Sequence, residues 1–195
     1  MRYFIFLEFL DPKVESTLRE LRDAIQPSIA ASGPVHVTLR GPYRKKPDRG
    51  TLLDMGQRLK GHGVRIIGAG IFSTPEGYAV FLRAESAAFR ELWWKPDFNT
   101  PIDDIQPHLT VYESQDEERA LLALNFLKAA RISILTYSVQ LTVYRTGQRD
   151  LFGKYALDAA PPNPSRRQDI VVIDPETLPG ARRLGLQLAQ MASSH

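Results

Sequence analysis

The sequence predicts a mixed fold of the α+β or α/β kind, and three observations carry that prediction. Segments of strand and helix character alternate with hairpins along the chain. A short strand pattern occurs twice, at residues 35–40 and 107–112, as two related half-domains would leave it. The 195 residues, 43% of them hydrophobic, suffice for one generous core or for two small lobes sharing a cleft.

Residues 2–9 are rich in aromatic and β-branched side chains and predict a strand buried on both faces or nearly so. Asp11-Pro12 starts a helix over 12–26, because Leu18, Leu21, Ala24 and Ile25 recur at helical spacing before Pro27 and the loop ending at Pro34. The first copy of the repeated pattern makes a strand at 35–41, ended by Gly41-Pro42. A basic loop leads to a helix near 50–60, which stops at Gly61-His62-Gly63. Val64–Phe72 and Tyr78–Arg83 form a hairpin around the turn Thr74-Pro75-Glu76-Gly77, and residues 86–94 make a short helix whose Trp93-Trp94 pair reads as core.

The second copy predicts a strand at 107–112, after which Ser114 is the expected cap of a helix over 115–130. Residues 135–146 and 153–158 read as a closing pair of strands. Pro161-Pro162-Asn163-Pro164 is the clearest linker, since proline can neither continue a helix nor pair inside a sheet. The expected division is therefore a main domain at 1–158 and a tail at 159–195. An apolar run at 170–173 and a helical pattern at 180–192 suggest that the tail packs on the main domain or on a partner.

Composition narrows the chemistry. The chain has no cysteine, which excludes disulfides, thiolate nucleophiles and thiolate metal sites and points to the cytoplasm. The apolar start carries Glu8 and runs into Asp11-Pro12, so neither a signal peptide nor a membrane span is expected there, and a soluble monomer with no membrane partner is. A net charge of +3 mildly favours anionic ligands. Arg40, Arg44, Lys45, Lys46 and Arg49 crowd beside the first motif, while Arg166-Arg167 and Arg182-Arg183 in the tail could touch nucleic acid or be plain solvated surface.

The repeated pattern is Val35-His36-Val37-Thr38-Leu39-Arg40 and Pro107-His108-Leu109-Thr110-Val111-Tyr112. Strand alternation puts His36, Thr38 and Arg40 on one face, and His108, Thr110 and Tyr112 on another. If both strands lie near one another in a common sheet, two imidazoles, two hydroxyls, a guanidinium and a phenol converge. That inventory suits a phosphodiester: one imidazole takes a proton from the attacking water or hydroxyl and the other gives one to the leaving oxygen. Thr38, Thr110 and Arg40 can hold the non-bridging oxygens, and Tyr43 and Tyr112 can stack on a base or sugar or simply pack in the core. Tyr144, Arg145 and Lys154 are weaker candidates for lining the same site. No cofactor and no metal are required, and Asp103, Asp104 and Glu113 form no recognised ligand set with the histidines. His62, between glycines, and His195, at the last position, are not expected to act. Two histidines merely satisfied by neighbours would be the structural alternative.

The paired motifs His36-Val37-Thr38 and His108-Leu109-Thr110 resemble those of the 2H phosphoesterase superfamily, which includes 2′-5′ RNA ligase-like proteins and cyclic nucleotide phosphodiesterases. The resemblance covers roughly residues 1–158. It implies a bilobal α+β fold of two pseudo-symmetric halves, each a small antiparallel sheet with outer helices, whose His-x-Thr strands line a central groove. It implies a hydrolase of RNA processing that opens a cyclic phosphodiester, on RNA ends, nucleotides or ADP-ribose, with nucleotide or RNA as partner. By that likeness His36 and His108 are catalytic, and Thr38 and Thr110 bind phosphate. Several relatives follow the second motif with a basic residue, where this chain has Tyr112-Glu113. A nucleotide-binding or RNA-binding module of the same fold, and a 2′-5′ ligase or phosphodiesterase, are the competing expectations.

Overall fold

The computed structural model describes residues 2–27, 34–93, 106–146, 155–161 and 167–193, so the expectations placed on Trp94, Asp103, Asp104, Lys154, Arg166 and His195 lie outside the described residues. The fold is α+β, with two antiparallel sheets and, among the described residues, five helices. In chain order the elements are β1 (Arg2–Phe9), α1 (Pro12–Ile25), β2 (His36–Tyr43), α2 (Arg49–Leu59), β3 (Val64–Thr74), β4 (Gly77–Glu85) and α3 (Phe89–Leu92). They continue with β5 (His108–Ser114), α4 (Glu117–Ala129), β6 (Ile132–Thr136), β7 (Val139–Thr146), β8 (Tyr155–Ala159), β9 (Ile170–Ile173) and α5 (Thr177–Ser193).

One sheet runs β2-β1-β7-β8 and the other β5-β4-β3-β6-β9. The two motif strands therefore belong to different sheets, not to a common one. Each is the terminal strand of its sheet, and β2 and β5 lie against each other. Alternation explains which face is buried: Ile5, Leu7 and Phe9 on β1, Val37 and Leu39 on β2, and Leu141 and Val143 on β7 belong to the core. Val80 and Leu82 on β4 and Leu109 and Val111 on β5 join the same continuous cluster from the second sheet.

Helices cover the core side. In α1 the Asp11 carboxylate accepts hydrogen bonds from the amides of Lys13 and Val14, both at 2.9 Å, which satisfies two otherwise open donors. Its stripe of Val14, Leu18, Leu21 and Ile25 is fully buried. Just past the last turn, the Gln26 side chain behaves like a strand backbone. Its amide donates to the Glu113 carbonyl at 3.0 Å and its carbonyl accepts from the Glu113 amide at 2.6 Å, tying α1 to β5.

Several boundaries differ from the sequence reading, three of them for reasons that pairing and capping make plain. β2 does not stop at Gly41-Pro42 but continues to Tyr43, which pairs with Tyr3. An outermost strand tolerates a proline that cannot donate, and Gly41 takes φ +130° in a place where a Cβ would meet Phe4 and the Tyr3 carbonyl. The helix expected at 115–130 begins at Glu117 and is capped by Asp116, whose carboxylate accepts from the Arg119 amide at 3.2 Å. Ser114 holds the Asp116 amide instead. The strand expected at 135–146 is two strands. Asp169 accepts from the Thr136 hydroxyl at 2.5 Å and the Tyr137 amide at 2.8 Å, fixing a turn through which the chain passes from one sheet to the other.

The tail is integrated with the rest. β9 pairs antiparallel with β6, and α5 packs on α1 so closely that a Cβ at Gly185 would run into the Ala24 carbonyl. Arg167 donates to the Gly61 carbonyl and lies over the Tyr137 ring, 5.2 Å from its centroid, and Arg183 faces Glu176 at 3.8 Å on the surface. Among the described residues no helix is long and apolar enough to cross a membrane.

Candidate active site

His36 opens β2, paired across the sheet with Glu8, and Thr38 pairs with Phe6. Both motif side chains are half-buried, on the face away from the core. Nδ1 of His36 sits 2.9 Å from the carbonyl oxygen of Pro34. A carbonyl only accepts, so Nδ1 carries the proton in the neutral ring and Nε2 keeps its lone pair. The ring stacks on Phe6 at a centroid separation of 3.8 Å and an interplanar angle of 22°. Phe6 in turn packs against Tyr144 of β7 at 4.9 Å.

His108 is held by the same construction. It opens β5, pairs with Arg83, and is followed by Thr110 opposite Phe81. Its Nδ1 donates to the carbonyl of Gln106, two residues back, at 2.6 Å. The ring contacts Phe81 at 5.0 Å and the edge of Phe72 at 4.8 Å, and Phe72 stacks on Phe81 at 4.3 Å. Burial among these rings holds the His108 pKa below the ordinary imidazole value, and the Gln106 carbonyl offsets part of that by stabilising the cation. The two strands have the same burial pattern over their first five residues.

The correspondence extends to an irregularity that breaks the expected alternation. On β1 the step from Phe6 to Ile5 is matched on β2 by two residues, from Thr38 to Arg40. On β4 the step from Phe81 to Val80 is matched on β5 by two, from Thr110 to Tyr112. A β-bulge of this kind turns the residue after it to the other face. Arg40 and Tyr112 therefore oppose the core residues Ile5 and Val80, and do not share a face with His36-Thr38 and His108-Thr110 as expected. Arg40 is 7% exposed, with Nη1 3.9 Å from Met55 Sδ and the guanidinium 5.7 Å from the Tyr43 ring centre. Tyr112 and Tyr43 are core residues as well, so stacking on a ligand is not available to either in this arrangement. Of the basic cluster, Arg44, Lys45, Lys46 and Arg49 are exposed.

No protein-family model matches the chain, and no curated protein does.

Two charged side chains on the strands beside the motif histidines escaped the sequence reading. Glu8, opposite His36, accepts from the Thr142 hydroxyl at 2.8 Å and the Tyr144 hydroxyl at 2.5 Å. Burial first, then the hydrogen bond to Glu8, pushes the Tyr144 phenol far above its usual range, so it stays a donor. Arg83, opposite His108, is exposed. A second repeat in the sequence marks both: Ile5-Phe6-Leu7-Glu8 matches Val80-Phe81-Leu82-Arg83 up to the charge of its last member. Among the described residues no three His, Asp or Glu side chains gather as a metal-ligand group.

Proposed function

We propose that the protein is a phosphoesterase of the two-histidine type, opening a cyclic or internucleotide phosphodiester without a metal in the reaction. The observation that carries this reading is the duplicate construction: two His-x-Thr strands at adjoining sheet edges, each imidazole pinned through Nδ1 to the carbonyl two residues before it. A histidine held only for packing has no need of a fixed tautomer. In this reading the two sheets form the two lobes, and His36, Thr38, His108 and Thr110 line the groove between them.

His108 is the base. Its lowered pKa keeps Nε2 unprotonated at neutral pH, ready to take a proton from water as the water oxygen attacks phosphorus. His36, across from the Glu8 carboxylate, is the acid and gives its Nε2 proton to the ribose oxygen as the P–O bond breaks. One proton leaves water and one reaches the leaving oxygen, giving a phosphomonoester. Thr38 and Thr110 donate to the non-bridging oxygens, where charge builds in the transition state.

The test is turnover of 2′,3′-cyclic nucleotides and cyclic-phosphate RNA ends, with and without a chelator. His36→Ala and His108→Ala should each abolish turnover while the chelator changes nothing. Full activity in either variant, or loss of activity on chelation, would overturn the reading. Nucleotide affinity with no hydrolysis of any cyclic phosphate would make the protein a binding module instead.

A further inference from the structure

The two histidines have matched surroundings except for charge. Arg83 pairs directly with His108 across β4 and β5, and alternation from Phe81, whose ring touches His108, puts the guanidinium on the imidazole's face. The opposite face of β4, with Val80, Leu82 and Ala84, is core. Arg83 is exposed, and its guanidinium has no hydrogen-bond or ion-pair partner among the described residues. Glu85 follows on the same face, but in register with Arg65, and the two ends of that pair leave Arg83 unengaged. At the corresponding position beside His36 stands Glu8, committed to two hydroxyls. One end of the site therefore repels a further anion and the other attracts it.

We propose that Arg83 determines specificity by binding a second anionic group of the substrate, next to the phosphodiester that is opened. The preferred substrate is then an oligonucleotide end or a nucleotide with a further phosphate, and not a bare nucleoside cyclic phosphate. This rests on the phosphoesterase reading and deepens it. A guanidinium fork suits a phosphate monoester or diester, through two parallel charged hydrogen bonds.

The experiment compares two probes on the full chain: adenosine 2′,3′-cyclic phosphate and the same compound carrying a 5′-phosphate. Arg83→Ala should raise KM for the 5′-phosphorylated probe by about 10–100-fold, the range that loss of a charged hydrogen bond gives. It should leave kcat within about twofold and the unphosphorylated probe unaffected. Arg83→Lys should restore part of the loss. An equal loss on both probes would make Arg83 a ligand of the scissile phosphate itself and overturn the inference, as would no change on either. If the wild-type chain turns over neither probe, the phosphoesterase reading fails, and calorimetry then decides the inference alone. Adenosine 2′,5′-bisphosphate should bind more tightly than adenosine 2′-phosphate, and Arg83→Ala should erase that difference; equal affinities in the wild type would refute it.

Discussion

The environment of His36 and the environment of His108 share a skeleton and differ in polarity. Both have a ring pinned by a preceding carbonyl, a phenylalanine cushion from the neighbouring strand, and a bulge after the threonine. Around His36 the third strand supplies Thr142 and Tyr144, and Glu8 bonds to both. Around His108 the corresponding register positions hold Gly70 and Phe72, and Arg83 stands where Glu8 does. The devices that aim a histidine are backbone devices and recur. The charged and polar side chains beside it are independent of them and differ between the two sheets.

The sharpest way to break the comparison is to remove each imidazole. His36→Ala and His108→Ala should each lower kcat by about 10²–10⁴-fold or more, as loss of a general acid or base does. Steady-state turnover with far-UV circular dichroism as a folding control measures it. A large effect at one histidine only would mean that the two do not act as an acid–base pair.

Next come the cushions. Phe6 and Phe81 are 3% and 2% exposed, so truncation to Ala should cost about 3–5 kcal/mol in either half. Urea denaturation of the two variants side by side tests whether the halves are equally dependent on them. The polar network is smaller and present in one half only. Tyr144→Phe removes a donor to a carboxylate and should cost about 1.5–3 kcal/mol, while the reverse change, Phe72→Tyr, meets no acceptor equivalent to Glu8 and should bring no gain in the same assay.

Gly70→Ala tests the apolar half alone. A Cβ there would stand 2.5 Å from Phe81 Cζ, displacing the ring that supports His108, and should cost about 1–3 kcal/mol with a parallel fall in activity. The smallest effect is in protonation. The His108 ring should titrate below 6.5 by NMR. The unfolded chain then binds more protons than the folded one below that value, so the contribution of His108 to stability is present above pH 6.5 and is lost as pH falls through the folded pKa. A His108 midpoint at or above 6.5 would remove the basis for making it the base.

Much of this was legible in the chain. Aromatic and β-branched composition gave β1, the turn between two apolar runs gave β3 and β4, alternation gave both motif strands, and the Asp11-Pro12 start of α1 is a local signal that local physics honours. The motif histidines and threonines were readable for the same reason. The bulges were not, because Leu39-Arg40 and Val111-Tyr112 contain no glycine or proline to announce an extra residue; only pairing with β1 and β4 reveals it. The break between β6 and β7 is set by Asp169, more than thirty positions away by sequence and adjacent in space. Glu8 and Arg83 depend on register, which no single strand encodes, although the Phe-Leu-Glu and Phe-Leu-Arg echo offered a clue.

The turn at Tyr137-Ser138 also governs the order in which the halves can be completed. The strands β3 and β4 follow one another closely and can zip as a hairpin as soon as they exist, and β5 joins them from the next stretch of chain. β1 finds β2 early, but its other edge waits for β7, and the Glu8–Thr142 bond spans 134 positions. Closing so long a loop is slow compared with local pairing. Emerging from the ribosome, the chain makes His36 first, yet the surroundings of His36 are the last to be assembled.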